Sequence, residues 1–186
     1  MKATPLALPE VLLIEPRAYE DSRGLFFESF NSHSFAEAVG HAVGFVQDNQ
    51  SVSHRGVLRG LHWQLPPHAQ GKLVRAAFGE VLDVAVDIRR SSPSFGRWVA
   101  EILSAGNRRQ LWIPAGFAHG FLALSEGAEV LYKATDFYQR SAERSVRWDD
   151  PELAIGWAGG IAPILSDKDA AAPSLAAARA AGDLFD

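Results

Sequence analysis

Cysteine is absent from this chain of 186 residues. That excludes a disulfide framework, a zinc–thiolate site and a thiol nucleophile, and it fits a reducing compartment. There is no polybasic run, and the formal net charge is −4. Neither a nucleic acid nor an anionic membrane surface is therefore an expected partner. Single basic residues can still hold one small anion. No apolar stretch is long enough to span a bilayer. The opening segment MKATPLALPEVLLIEP carries one lysine and is broken by Pro5, Pro9 and Pro16, which makes it a poor signal peptide. The expectation is a soluble, cytoplasmic protein with no membrane contact.

Helical periodicity is also scarce. Ser34-Phe35-Ala36-Glu37 has capping-box spacing and Gly40 supplies a stop, so a short helix is expected near 35–39. A second is expected from Ser174 to Ala181, ended by Gly182. With no repeat, heptad or linker, residues 1–186 read as a single domain of ordinary globular composition, 47% hydrophobic and 22% charged.

Alternation of period two is what the chain has in quantity. Leu82, Val84, Val86 and Ile88 alternate with Val81, Asp83, Ala85 and Asp87, which predicts a strand with one strongly apolar face. Gly79-Glu80 separates it from Lys72–Phe78 in a hairpin-like arrangement. Further strands are predicted at Gly24–Phe30, Phe45–Ser53, Leu58–Gln64, Trp98–Leu103, Leu111–Ile113, Gly120–Leu124 and Glu129–Thr135. Turn signals fall between them at Ser92-Pro93, Gly106-Asn107, Pro114-Ala115-Gly116 and Glu126-Gly127. Many short strands at this spacing predict an all-β sandwich or barrel.

Basic and imidazole groups interrupt these apolar strands, and such groups are costly inside a sheet unless they bind or react. In RGLHWQ, Gly60, His62 and Gln64 share a face, while Leu61, Trp63 and Leu65 face the other way. His62 reads either as a core histidine satisfied by backbone or as a general base. Lys72 shares parity with Val74, Ala76 and Phe78. It is either a solvated strand-end lysine or a stabiliser of an oxyanion or phosphate. Tyr132 either packs with its hydroxyl bonded or donates a proton. Tyr138 either packs on the surface or stacks on a planar ligand. Arg23, Arg59 and Lys168 are solvated charges or phosphate contacts. Arg59 lies on the opposite parity from His62, so both reach one ligand only if the strand bends or bulges at Gly60.

Pro114-x-Gly116-x-x-His119 has the look of the second cupin motif, and Gly60-x-His62-x-Gln64 that of a degraded first one. A metal-binding cupin offers His-x-His, then Glu, then a later His. Here Gln64 takes the second position and Ala69 stands where Glu belongs. The donor set is too small for a metal, and none is expected.

Taken together, DSRGLFFESF, FVQDNQSVS, GVLRGLHWQ, AQGKLVRA, GEVLDVAVDIRRSSPSFGRW, IPAGFAHGF, YKATDFY, AERSVRWDDP and LSDKD resemble the dTDP-4-dehydrorhamnose 3,5-epimerase family, over nearly the whole chain. The resemblance implies a cupin-type jelly roll with a few short helices, assembled as a homodimer. It implies dTDP-4-dehydro-6-deoxyglucose as substrate and no cofactor. By motif, His62 looks like the base, Asp169 its dyad partner, Lys72 the enolate stabiliser and Tyr132 the acid on the opposite face. Tyr138 matches the aromatic that stacks on thymine. Arg23, Glu28, Gln47, Asp48, Asn49, Arg59, His119, Glu143 and Lys168 match substrate-binding positions. Trp63 departs from the family's frequent tyrosine. Its parity predicts an effect on packing rather than chemistry. The phenylalanine-rich segment Gly24–Phe30 adds an independent pointer to a dimer, by pairing across a sheet edge.

The chemistry of the residues agrees. C3 and C5 flank the C4 ketone, so enolate formation acidifies both C–H bonds. A neutral base, a cation at the ketone oxygen and an acid across the ring complete an inversion. Competing readings are an epimerase acting at C5 only or C3 only, a ketoisomerase of another deoxysugar pathway, and a non-catalytic sugar-nucleotide binding module. Fold alone does not separate them.

Overall fold

Short runs of alternating residues between glycine and proline turns produce thirteen strands and three helices in the computed structural model, which describes residues 1–186. In chain order they are β1 (Lys2–Pro5), β2 (Leu12–Glu15), β3 (Ala18–Asp21), β4 (Gly24–Phe27), α1 (Ser32–Val39), β5 (Gln47–Ser53), β6 (Leu58–Gln64), β7 (Lys72–Phe78), β8 (Glu80–Asp87), β9 (Trp98–Ser104), β10 (Gln110–Ile113), β11 (Phe117–Ala123), β12 (Ala128–Ala134), β13 (Glu143–Ser145), α2 (Asp167–Ala170) and α3 (Leu175–Ala181). A six-stranded sheet runs β1-β2-β10-β7-β12-β5 and a five-stranded sheet runs β13-β6-β11-β8-β9. The β3–β4 hairpin forms a separate two-stranded sheet. The fold is an antiparallel sandwich, as the alternation predicts, of the cupin-like kind that the resemblance implies.

Strand parity divides the apolar residues into three layers. Between the sheets lie Val74 and Ala76 of β7, Val130 of β12, Leu111 and Ile113 of β10, Val81 and Ala85 of β8, and Phe117 and Phe121 of β11. The other face of β8, with Val84, Val86 and Ile88, packs beneath Leu175 and Ala178 of α3. β8 is thus buried on both faces. Outside the six-stranded sheet, Phe35 of α1 joins Leu12, Ile14, Leu73 and Trp112. Phe78 breaks the parity of β7 and is 59% exposed, because the β7–β12 register shifts between Glu129 and Val130.

Several local expectations are corrected. The strand foreseen over Gly24–Phe30 stops at Phe27. The chain then turns so that Ser29 O accepts from Gln110 Nε2 at 2.6 Å and Phe30 stacks edge-on against Phe45 at 5.3 Å. The first helix begins earlier than the capping box suggests. Asn31 is its N-cap, accepting from the backbone of His33 and Ser34, so Ser34 lies within the helix. β1, β2, β3 and β13 are three or four residues long, too short to show a period. The C-terminal helix runs as expected, capped by Ser174 and closed by Gly182 in the left-handed conformation.

The break in β6 is the local feature that shapes the site. Gly60 has φ +140°, and the β6–β11 register shifts between His119 and Phe121. The bulge brings Arg59 and His62 to the same cleft, as the parity argument requires. A Cβ at Gly60 would lie 2.5 Å from Gly120 Cα. Gly60→Ala therefore meets both a forbidden φ and a backbone clash. It should lower the unfolding free energy by about 2–4 kcal/mol, measured by urea denaturation. A loss below about 0.5 kcal/mol, the size of an indifferent surface change, would show that the bulge tolerates a side chain.

Candidate active site

The inner core is apolar at one end of the sandwich and opens at the other into a cleft of about 550 Å³. The five-stranded sheet contributes Arg59, His62, His119 and Phe121 to its wall. The six-stranded sheet contributes Asn49, Ser51, Lys72 and Tyr132. Ile164 to Ser166, with Lys168 and Asp169 of α2, close one side. Register explains the convergence: His62 lies directly across from His119, and Tyr132 across from Asn49. The sequence-identified base and acid therefore stand on opposite walls.

His62 meets Asp169 through Nε2 and Oδ1 at 2.5 Å. Ser166 caps α2 and accepts from the Asp169 backbone, which places the carboxylate, itself almost fully buried. Since the carboxylate accepts from Nε2–H, neutral His62 keeps its lone pair on Nδ1. Burial pushes the His62 pKa below its ordinary value. The Asp169 hydrogen bond and charge oppose this, while Lys168 and Lys72 add to it. Burial pushes Asp169 up, but the hydrogen bond and charge of His62 outweigh it and leave it below the usual carboxylate value. The pair is a neutral base with an ionised support.

On the other wall, burial pushes the Lys72 pKa down to about 8, with Asp83 and then Glu143 opposing. Its Nζ lies 5.9 Å from the Tyr132 ring centroid. Burial, and next the charge of Glu143, push the Tyr132 phenol up, against Arg59. Tyr132 stays protonated near neutral pH and can donate.

A chain of contacts forms the rim. Glu143 accepts from Lys168 Nζ at 2.7 Å and from the Tyr138 hydroxyl at 3.0 Å. Gln47 accepts from the Tyr138 backbone at 2.9 Å and donates to Asn49 Oδ1 at 2.9 Å. The Tyr138 ring is 52% exposed, free to stack on a planar group. Arg59 Nε donates to Ser53 Oγ at 3.2 Å.

Three sequence-identified binding residues are not brought to the cleft within this chain. Arg23 is 88% exposed and paired with Asp21, on the hairpin outside both main sheets. Glu28 follows that hairpin and accepts from Asn31. Asp48 alternates outward on β5 and pairs with Lys133 at 3.0 Å. Sequence reasoning also passed over Asp83, buried beside His119, and Ser51 and Phe121, which line the cleft. Asp83 had a visible signal, a carboxylate sharing the parity of Val81 and Ala85. Trp63 behaves as its parity implies: it is buried behind the cleft wall and donates to Asp183 O at 3.0 Å. No three His, Asp or Glu side chains converge as metal ligands would.

The model of the family described as dTDP-4-dehydrorhamnose 3,5-epimerase matches residues 5–177. The chain belongs to the dTDP-4-dehydrorhamnose 3,5-epimerase family. It is 64% identical over 169 residues to the dTDP-4-dehydrorhamnose 3,5-epimerase of Pseudomonas aeruginosa, covering 91% of this chain and 93% of that one. The crystal structure of the Legionella pneumophila epimerase in complex with dTDP-4-keto-L-rhamnose matches with a TM-score of 0.94 at 50% identity, over 99% and 97% of the two chains. A 3'-monoepimerase from Streptomyces bikiniensis, in complex with dTDP-quinovose, matches with a TM-score of 0.92 at 40% identity, over 97% and 91%.

Asp169→Asn tests the dyad. The amide can present N–H to Nε2 and move the imidazole proton to Nδ1, the wrong tautomer for a base facing the cleft. The turnover rate should fall by roughly 10²–10⁴-fold. Asp169 is the main group holding the His62 pKa up. Its loss should move the acid limb of the kcat/KM profile to lower pH. An unchanged acid limb with near-normal turnover would remove Asp169 from the mechanism.

Proposed function

We propose that this chain epimerises dTDP-4-dehydro-6-deoxy-D-glucose at C3 and C5 to dTDP-4-dehydro-L-rhamnose, in dTDP-rhamnose biosynthesis. One observation carries the reading: a carboxylate-supported imidazole and a protonated phenol face each other from opposite sheets, with a half-buried lysine on the phenol's wall. Membership of the epimerase family supports it.

The sugar lies with its C3–H and C5–H toward His62. Nδ1 removes the proton, and the electron pair passes into the C4 carbonyl as an enolate. Asp169 stabilises the imidazolium across Nε2. Lys72, still largely an ammonium below its pKa of about 8, stabilises the enolate oxygen. Tyr132 delivers its phenolic proton to the opposite face and inverts the carbon. Solvent then reprotonates the phenolate and takes the proton from His62. The same groups repeat the cycle at the second carbon. Tyr138 stacks on the thymine. Arg59 and Lys168 hold the diphosphate. Gln47, Asn49, His119 and Glu143 fix the sugar and base. Each step is a proton transfer between residues and substrate, so no redox cofactor or metal enters the scheme. The kinship with a 3'-monoepimerase keeps a second reading, inversion at C3 alone.

A cytoplasmic homodimer completes the proposal. The β3–β4 hairpin exposes Tyr19, Leu25 and Phe26 at 54%, 44% and 72%, and the edge strand β5 exposes Val52 at 64%. A two-fold partner laying its hairpin along the β5 edge would cover both patches. It would also bring Arg23 and Glu28 to the cleft, where their own chain does not place them. Light scattering at micromolar concentration should give twice the chain mass of 20.2 kDa. A monomeric mass with full activity would defeat this arrangement.

Turnover in deuterated water tests the chemistry. The wild type should place deuterium at both C3 and C5 with inversion. Label at C3 alone would establish the second reading. In Tyr132→Phe the base and Lys72 remain, so exchange should continue with retained configuration. Epimerised product should fall by roughly 10²–10⁴-fold. NMR of the recovered sugar nucleotide compares label with configuration at C5. Near-normal inversion would exclude Tyr132 as the acid.

A further inference from the structure

Two aspartates occupy interior positions on β8, and only one is explained by local structure. Asp87 accepts both Nε and Nη2 of Arg89 and the hydroxyls of Ser92 and Ser94, which builds the turn that follows. Asp83 is 0% exposed. Its Oδ2 accepts from His119 Nε2 at 2.9 Å, and its Oδ1 has no hydrogen-bond partner. Its cross-strand neighbour on β9 is Glu101, whose own charge is met by Arg109 at 3.8 Å. A half-satisfied buried carboxylate beside a second acid is costly, so a cation elsewhere must offset it.

Lys72 lines the same cleft as the His119 ring that Asp83 holds. The other carboxylates of the cleft are already engaged: Asp169 by His62, Glu143 by Lys168 and Tyr138. The remaining charged or titratable groups around Lys72, namely Arg59, His119 and Tyr132, carry no negative charge. Asp83 is also the largest attraction opposing the desolvation of Lys72.

We propose that Asp83 is a positioning residue of the reaction: its carboxylate holds the His119 ring by Nε2, leaving Nδ1 to the cleft, and is the buried counter-charge of Lys72. The role in turnover rests on the reading of Lys72 as the enolate stabiliser. The pairing of the two charges does not.

The test therefore has two arms. In Asp83→Asn, kcat should fall by about 10²-fold, the weight of one oxyanion donor, with KM changed far less. The alkaline limb of the kcat profile should move toward acid by about one pH unit, since Lys72 loses the strongest attraction holding its charge. A purely structural aspartate would lower the melting temperature and the active fraction and leave the limb in place. That result would overturn the role in turnover. The second arm needs no turnover. Melting temperatures are measured for Asp83→Asn, Lys72→Met and the double variant. The double variant should be more stable than the two single losses predict, and if Asp83→Asn alone fails to fold, adding Lys72→Met should restore folded protein. Additive losses, or a double variant that does not fold, would show that the two charges are not partners. Failure of the first arm alone, with coupling intact, would fault the assigned role of Lys72 rather than the pairing.

Discussion

Ionisable groups buried between two sheets set the terms for everything else at this site. A lysine or carboxylate removed from water is tolerated only where an opposite charge or a full set of hydrogen bonds replaces the solvent. The cleft meets this condition by interlocking pairs. His62 is matched to Asp169, His119 to Asp83, and Lys168 to Glu143. The low dielectric that makes these groups costly also separates their proton affinities. It pushes imidazole and ammonium down and phenol up. Near neutral pH this keeps the imidazole a free base and the phenol a proton donor, and it brings the ammonium closer to neutrality. The reactivity and the burial have one cause.

Precision comes from the layers behind the cleft. Leu61 and Trp63 flank His62 in sequence but point to the opposite face, under Leu175, Ala178 and Leu184. Leu61 exchanges both backbone hydrogen bonds with Val146, at 3.1 and 3.2 Å. The strand carrying His62 is thereby held by Val146 and packed from the far side by the C-terminal helix. Asp169 reaches the same cleft from a one-turn helix whose position depends on the Ser166 cap and on the neighbouring Val57–Ile164 bridge. Catalytic geometry of this kind depends on packing that never touches substrate.

What could be read from the chain follows the reach of the signals. Period-two alternation identified the core strands, and the parity of RGLHWQ placed His62 in the cleft and Trp63 behind it. The need for a break at Gly60 was legible because Arg59 and His62 have opposite parity. The pairing of His62 with Asp169 was not, since the two lie 107 positions apart and no local pattern links them; only the family resemblance suggested it. The first helix was misplaced by a few residues because a plausible Ser34–Glu37 box competed with Asn31. Four of the short strands, β1, β2, β3 and β13, escaped notice because three or four residues display a period only weakly. Arg23, Glu28 and Asp48 were matched to substrate by motif, yet one chain alone leaves them outside the cleft. A motif identifies a residue, not where one chain places it.

The placement of one base and one acid on facing sheets bears on how two stereocentres can be inverted with a single set of groups. In a glucose-configured ring the hydrogens on C3 and C5 are both axial and lie on the same face. They also flank C4, so either proton loss delivers charge to the same oxygen. One base beneath that face reaches both hydrogens with little movement of the sugar, and one cation serves both enolates. A single phenol above the ring can return a proton to either carbon. The site therefore needs no duplicated machinery. What it does need is room for the ring to shift between the two carbons while the nucleotide stays anchored at the rim. On the proposed scheme, discrimination between one inversion and two would reside in how far the sugar can move within the cleft rather than in which proton-transfer residues are present. That is consistent with a fold shared closely with a 3'-monoepimerase.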